Sequence, residues 1–217
     1  MIRSIDLSLA LRQLSARPRR VRSDARARDQ ALEMIAREAL ASPVYGYRIL
    51  PVQTVRGDAI EVGDAALDAP VLAAEVGELK ALAAAACTLG AAVQERISAL
   101  FATRRRSLAL ALDTVANELL FRLADRAFAS IRREARLTGL GTGIEASPGD
   151  PGVPLEQQAG VLALADAARI GIHAAGAGML SPMKSLSFLV ALGPNLRRRA
   201  APARCNCCPS RDRCTMK

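Results

Sequence analysis

Residues 144–193 read IEASPGDPGVPLEQQAGVLALADAARIGIHAAGAGMLSPMKSLSFLVALG, and the alternation of irregular and regular segments in this stretch governs how the whole chain is understood. Pro148, Gly149, Pro151, Gly152 and Pro154 fall within seven residues. Prolines fix the backbone and glycines free it, which predicts a loop of defined path that presents backbone groups. From Leu155 onward Val161, Leu162, Leu164, Ala165 and Ala168 recur at helical spacing, and Gly171 ends the run. Ile170, Ile172 and Ala174 then alternate, as do Leu186, Phe188 and Val190 against Ser185, Ser187 and Leu189. The expectation is two short antiparallel strands with a Gly-rich connection between them, the second beginning in the polar run Lys184-Ser185-Leu186-Ser187.

Working outward, 45–62 reads as a hairpin, with Tyr47, Ile49 and Val52 in one arm, Ile60 and Val62 in the other, and Gly57-Asp58 at the turn. Arg56-Gly57-Asp58 is what a turn requires and carries no adhesion reading. A short helix is expected over 69–76. Residues 79–88 are alanine-rich, which by propensity favours helix. They are read as a central strand, because a flat alanine face lets helices approach a sheet closely. Cys87 is then a small buried side chain, with a reactive thiol as the alternative. Two helices follow, over 91–102 and 107–137, joined at Arg104-Arg105-Arg106. Leu108, Leu112, Val115, Leu119, Leu123, Ala127 and Ile131 form the buried stripe of the second. Gly139, Gly141 and Gly143 are expected to loosen the chain on its way into the Pro/Gly loop.

At the other end, Ile5, Leu7, Leu9, Leu11 and Leu14 suggest a short helix, and Arg17 to Arg28 form a basic run broken by Pro18. That run is either a solvated linker or a contact for an acidic partner. A helix capped by Ser23 is expected over 24–41. The chain thus divides into a helical and basic arm (1–28), an α+β domain (29–193) and a basic Cys-rich tail (194–217).

The 217 residues suit one domain with a sizeable core. Hydrophobic residues make up 51% but aromatics only 3%, so that core rests on Leu, Val, Ile and Ala. No apolar run reaches the roughly 18 residues of a membrane span. The N-terminus is charged and amphipathic, unlike a signal peptide, which gives a cytoplasmic expectation. The net charge of +9 invites nucleic acid, but no exposed aromatics, helix-turn-helix or RNA-binding signature accompany it, and an acidic protein partner fits better. His173 is the only histidine; it reads as structural, and no catalytic triad, P-loop or dinucleotide fingerprint is present. Ser185 and Ser187 share one strand face, where they either line a site or face solvent. In the tail, Cys205, Cys207, Cys208 and Cys214 form a C-x-C-C-x5-C cluster. Cytoplasmic disulfides are rare, so the cluster is a candidate zinc or iron–sulfur site, or alternatively a thiol tail that orders on a partner.

Several of these segments together resemble a known family. The order SPGDxGxPLExQ (147–158), helix, RIGI (169–172), Gly-rich connection and MxxPxKSxSF (179–188) is similar to the activation, or reactivation, domain of vitamin-B12-dependent methionine synthase and its stand-alone relatives. YRILP (47–51), ACTLG (86–90), ERISAL (95–100) and ALDTVANE (111–118) extend the resemblance over about residues 30 to 193. It implies an α+β fold with a central twisted antiparallel sheet flanked by helices. It further implies a module that binds S-adenosylmethionine and presents its methyl group to cobalamin on a corrinoid partner chain, while an acidic flavodoxin-like donor supplies an electron. The protein's share would be positioning, since the cofactor carries the hard chemistry.

The residues that the resemblance places around S-adenosylmethionine are Glu145, Ala146, Ser147, Gly149 and Asp150 in the loop, Asn117 or Glu118 on the long helix, and Lys184 and Ser185 in the polar run. Family members carry an arginine and a tyrosine in an RxxPGY loop; this chain has Glu145 and Asp150 at those positions. An acid in place of that arginine turns attraction for the ligand carboxylate into repulsion, while backbone contacts from Ala146, Ser147 and Gly149 need no particular side chain. The function implied is the reactivation component of a split cobalamin-dependent methionine synthase. Two others stay open: a corrinoid-protein-binding module without S-adenosylmethionine, and a redox or metal module acting through the Cys tail.

Overall fold

The computed structural model describes residues 1–15, 22–75 and 77–197, without the side chains of 22–24. It contains strand β1 (Ile2–Ser4), helices α1 (Leu7–Ser15) and α2 (Arg22–Arg37), strands β2 (Val44–Arg56), β3 (Ala59–Val62) and β4 (Ala65–Asp68), and helix α3 (Pro70–Ala73). Strand β5 (Ala81–Thr88), helices α4 (Ala92–Ala102) and α5 (Arg106–Leu137), strand β6 (Gly141–Ala146), helix α6 (Gln158–Leu164), strands β7 (His173–Ala175) and β8 (Met179–Ser181), and strand β9 (Ser185–Gly193) follow.

Seven strands form one sheet in the order β4-β3-β2-β5-β9-β6, with β1 paired to β2, and every pairing is antiparallel. The long β2 holds β5 along its first half on one side (Tyr47↔Ala85), and on the other it holds β1 (Ile2↔Gly46) and then β3. Both faces are covered. Tyr45, Tyr47, Ala83, Ala85, Cys87, Phe188 and Val190 point to the face under α1, α2, α4 and α5. Leu82, Ala84, Ala86, Leu189 and Ala191 point to the opposite face with β3, β4, α3 and α6. That split is the period-two alternation of a strand. All eight residues of β5 are buried, so a strand rich in alanine occupies the sheet centre. Helix propensity loses here to tertiary packing. The fold is therefore α+β, a central antiparallel sheet between helical layers.

On α5 the expected stripe, Leu108 through Ile131, is buried throughout. Each Leu, Val or Ile side chain of the stripe removed from water contributes about 1.5–3 kcal/mol before chain entropy is counted. The N-terminal residues share this core: Ala10, Leu11 and Leu14 of α1 belong to the same buried cluster as Leu119 and Leu123 of α5, and β1 extends the sheet. Leu196 likewise packs in the opposite core.

Three local expectations are corrected. Ile170 ends a 3-10 turn (Ala167–Ile170) after a break at Asp166, whose φ is +54°, so no strand runs from Ile170 to Ala174. The strand that does form, β7, pairs with β8 in a separate hairpin (Ala174↔Leu180), and β9 pairs instead with β5 and β6 inside the main sheet. Finally, Gly141 and Gly143 begin strand β6 rather than a loosened approach to the loop. A Cβ at Gly141 would fall on the Leu196 carbonyl, and one at Gly143 would lie 3.1 Å from the Leu196 side chain. Those glycines serve close packing, not freedom. Among the described residues no helix is long and apolar enough to cross a membrane.

Candidate functional site

Antiparallel pairing carries the start of β9 and the end of β6 to the same end of the sheet, because Ala146 is registered with Leu189. Two groups of polar residues sit there.

The first joins α5 to β9. Lys184 Nζ donates to Asp113 Oδ1 at 2.6 Å and to Asn117 Oδ1 at 2.8 Å, and Asn117 Nδ2 donates to Asp113 Oδ2 at 3.0 Å. Asp113 and Asn117 stand one helical turn apart and so face the same way. Lys184 is 8% exposed, and a buried ammonium persists only with such partners. Its backbone carbonyl accepts the Leu89 N–H at 2.9 Å and the Thr88 hydroxyl at 3.4 Å. Thr88 Oγ1 in turn accepts from Ser185 Oγ at 2.8 Å and from the Gly90 N–H at 3.0 Å. One donor and two acceptor sites are thus all used. The turn after β5 and the polar run before β9 are therefore one network.

The second group is the Pro/Gly loop. β6 delivers Glu145 half-buried and Ala146 buried. The Ser147 N–H donates to Asp150 Oδ2 at 2.8 Å, Asp150 N–H to the Ser147 carbonyl at 2.9 Å, and Gly149 N–H to the Val153 carbonyl at 2.9 Å. Gly149 has φ +91° and Gly152 φ +85°, conformations that favour glycine. Space as well as conformation demands glycine at 152, since a Cβ there would lie 2.7 Å from Val71 Cβ. Behind the loop, Gln158 Nε2 donates to Ser187 Oγ at 2.7 Å in the interior. Ser187 is thus buried, whereas Ser185 is half-buried in the network around Thr88.

The structure brings Asn117 together with Lys184, ties Ser185 to Thr88, and joins Ser147 to Asp150. It separates Glu118, which faces α2 and receives both Arg28 terminal nitrogens at 2.7 Å. Asp113 and Thr88 belong to the network but were not singled out from sequence. The signal for Asp113 was its spacing of four from Asn117, both off the apolar stripe. His173 is exposed on β7. Among the described residues no group of three or more His, Cys, Asp or Glu side chains could hold a metal ion. Cys205, Cys207, Cys208 and Cys214 lie outside the described residues.

The donor set fits S-adenosylmethionine in part. Half-buried Glu145 places an acid on the strand that enters the loop, whereas both Asp113 carboxylate oxygens are taken by Lys184 and Asn117. The N–H groups of Ser147 and Gly149, candidates for its carboxylate, are already engaged within the loop.

No family model matches the sequence, and no curated protein matches it. Among solved structures, the crystal structure of the MetH reactivation domain bound to AdoHcy is similar, with a TM-score of 0.65 and 15% identity, over 90% of this chain and 78% of that one. At that identity the likeness concerns the path of the backbone: this chain has the fold of the MetH reactivation domain.

Proposed function

We propose that the chain is a reactivation component for cobalamin-dependent methyl transfer. It would bind S-adenosylmethionine at the end of the sheet marked by the 147–153 loop and present its methyl group to the reduced cobalt of a corrinoid partner. A flavodoxin-like acidic protein would supply the electron. The observation that carries this reading is the likeness, over 90% of the chain, to a domain bound to AdoHcy, the demethylated form of S-adenosylmethionine. The net charge of +9 supports an acidic partner, drawn in by long-range attraction that salt would weaken.

The test is isothermal titration calorimetry with S-adenosylmethionine and S-adenosylhomocysteine. Saturable one-to-one binding of both is expected. Glu145→Arg should strengthen it about 10- to 100-fold, since a charge-assisted bond to the ligand carboxylate contributes about 1.5–3 kcal/mol. No heat with either ligand, in the native chain and in the variant, would overturn the reading.

A second reading, a corrinoid-protein-binding module without S-adenosylmethionine, is favoured by one contact. The Asp150 carboxylate, at the position of the family's tyrosine, is spent on the Ser147 N–H inside the loop. That reading expects salt-sensitive association with a cobalamin-loaded protein and no nucleoside binding.

A further inference from the structure

A groove of about 650 Å³ opens between the N-terminal segment and the C-terminal half of α5, a volume typical of small-molecule sites. Arg3 contributes one guanidinium to its walls, and Arg122, Arg126 and Arg133 contribute three more from one face of α5. Among the described residues none of the four pairs with a carboxylate. Two acids, Asp6 and Asp125, also line the groove, and Asp6 Oδ1 is engaged by the Leu9 N–H at 3.1 Å. Positive charge is therefore in excess. Arg122 reaches the side-chain and backbone carbonyls of Gln13 at 2.9 and 3.4 Å with its terminal nitrogens, while its Nε is buried without a partner.

The groove also reaches two side chains of the core. Tyr45 and Ser130, 4% and 5% exposed, share a hydroxyl–hydroxyl bond of 2.9 Å, and Arg133 donates to Ser130 Oγ at 3.4 Å. Ile5 and Leu9 add apolar surface. The excess positive charge repels itself unless an anion enters. Guanidinium forks match carboxylate and phosphate oxygens in bidentate geometry.

We propose that this groove binds a small organic dianion, a phosphate monoester or a dicarboxylate, with a compact apolar body. It is a site apart from the loop and the Lys184 network, and it does not depend on S-adenosylmethionine binding.

Calorimetric titration of the full chain with inorganic phosphate, phenyl phosphate and glutarate at constant ionic strength tests this. Saturable binding is expected, with phenyl phosphate about tenfold tighter than phosphate because the ring covers Ile5 and Leu9. The exposed pair Arg126→Gln/Arg133→Gln should weaken it at least tenfold. Arg104→Gln/Arg105→Gln, which removes the same charge from a different surface, should leave it unchanged. Ala129→Trp, at an exposed position of the groove, should block it without altering charge. The relative affinities of phenyl phosphate and glutarate distinguish the two ligand classes. Equal losses in the two arginine pairs, binding that survives Ala129→Trp, or no saturable binding of any probe would overturn the proposal.

Discussion

Removing either partner of the Lys184–Asp113 pair should destabilise the fold, and by unequal amounts. The Lys184 side chain is 10% exposed and that of Asp113 38%, so the consequence depends on which charge is left behind. In Lys184→Met the thioether chain fills the space of the lysine stem, and Asp113 with Asn117 turns to water; the loss is the net worth of the bonds, about 1 kcal/mol. In Asp113→Ala an ammonium remains in the interior with Asn117 Oδ1 as its side-chain acceptor. Loss of a charge-assisted bond adds to incomplete desolvation, and the cost is about 3 kcal/mol. With a urea dependence of about 2 kcal/mol per molar, the unfolding midpoint should fall by about 0.5 M and about 1.5 M respectively. The double variant strands no charge and should cost about 1.5 kcal/mol, well below the sum of the two. Urea unfolding followed by circular dichroism measures all three. An additive double variant, or Lys184→Met costing as much as Asp113→Ala, would refute the reasoning.

Two further outcomes are expected. Tyr47 donates to Glu134 Oε2 at 2.7 Å, and burial first, then that bond and the Glu134 charge, hold its phenol well above the ordinary tyrosine value. The folded state keeps a proton that the unfolded chain loses above pH about 10. Stability should therefore fall as pH rises past that point, by up to about 1.4 kcal/mol per unit, and Tyr47→Phe should remove that share of the slope in urea titrations at pH 9 to 11.5. Ala85, fully buried on the face under α5, leaves no room for a larger side chain. Ala85→Leu should cost about 1–3 kcal/mol by thermal or urea unfolding, whereas Leu110→Ala on the exposed side of α5 should change little.

The long helix α5 was legible from sequence because its apolar residues repeat from Leu108 to Ile131, about six to seven turns, more than chance supplies. The hairpin was legible because Gly57-Asp58 can do little but turn, and β5 because the resemblance, and the flat alanine face that lets helices approach a sheet, outweighed alanine's preference for helix. Asn117 and Lys184 were reached as candidates only through the spaced motifs, and Ser185 through them and through strand alternation. Local pattern could not tell that β9 sits between β5 and β6 while β7 folds back on β8. A strand's sequence records which face is apolar but not which edge finds which neighbour. The same limit applies to Gly141 and Gly143, whose lack of side chains serves the approach of Leu196 from more than fifty residues away. Nor could it show that Glu118 turns to Arg28 while its neighbour Asn117 turns to Lys184, since adjacent helix positions point about 100° apart and only packing decides what each one meets. Sequence alone thus determined the main helices, the central strands and their apolar faces. The tertiary structure decided the strand order, the network that buries Lys184, and the basic groove beside α5, because each is a meeting of residues far apart in the chain.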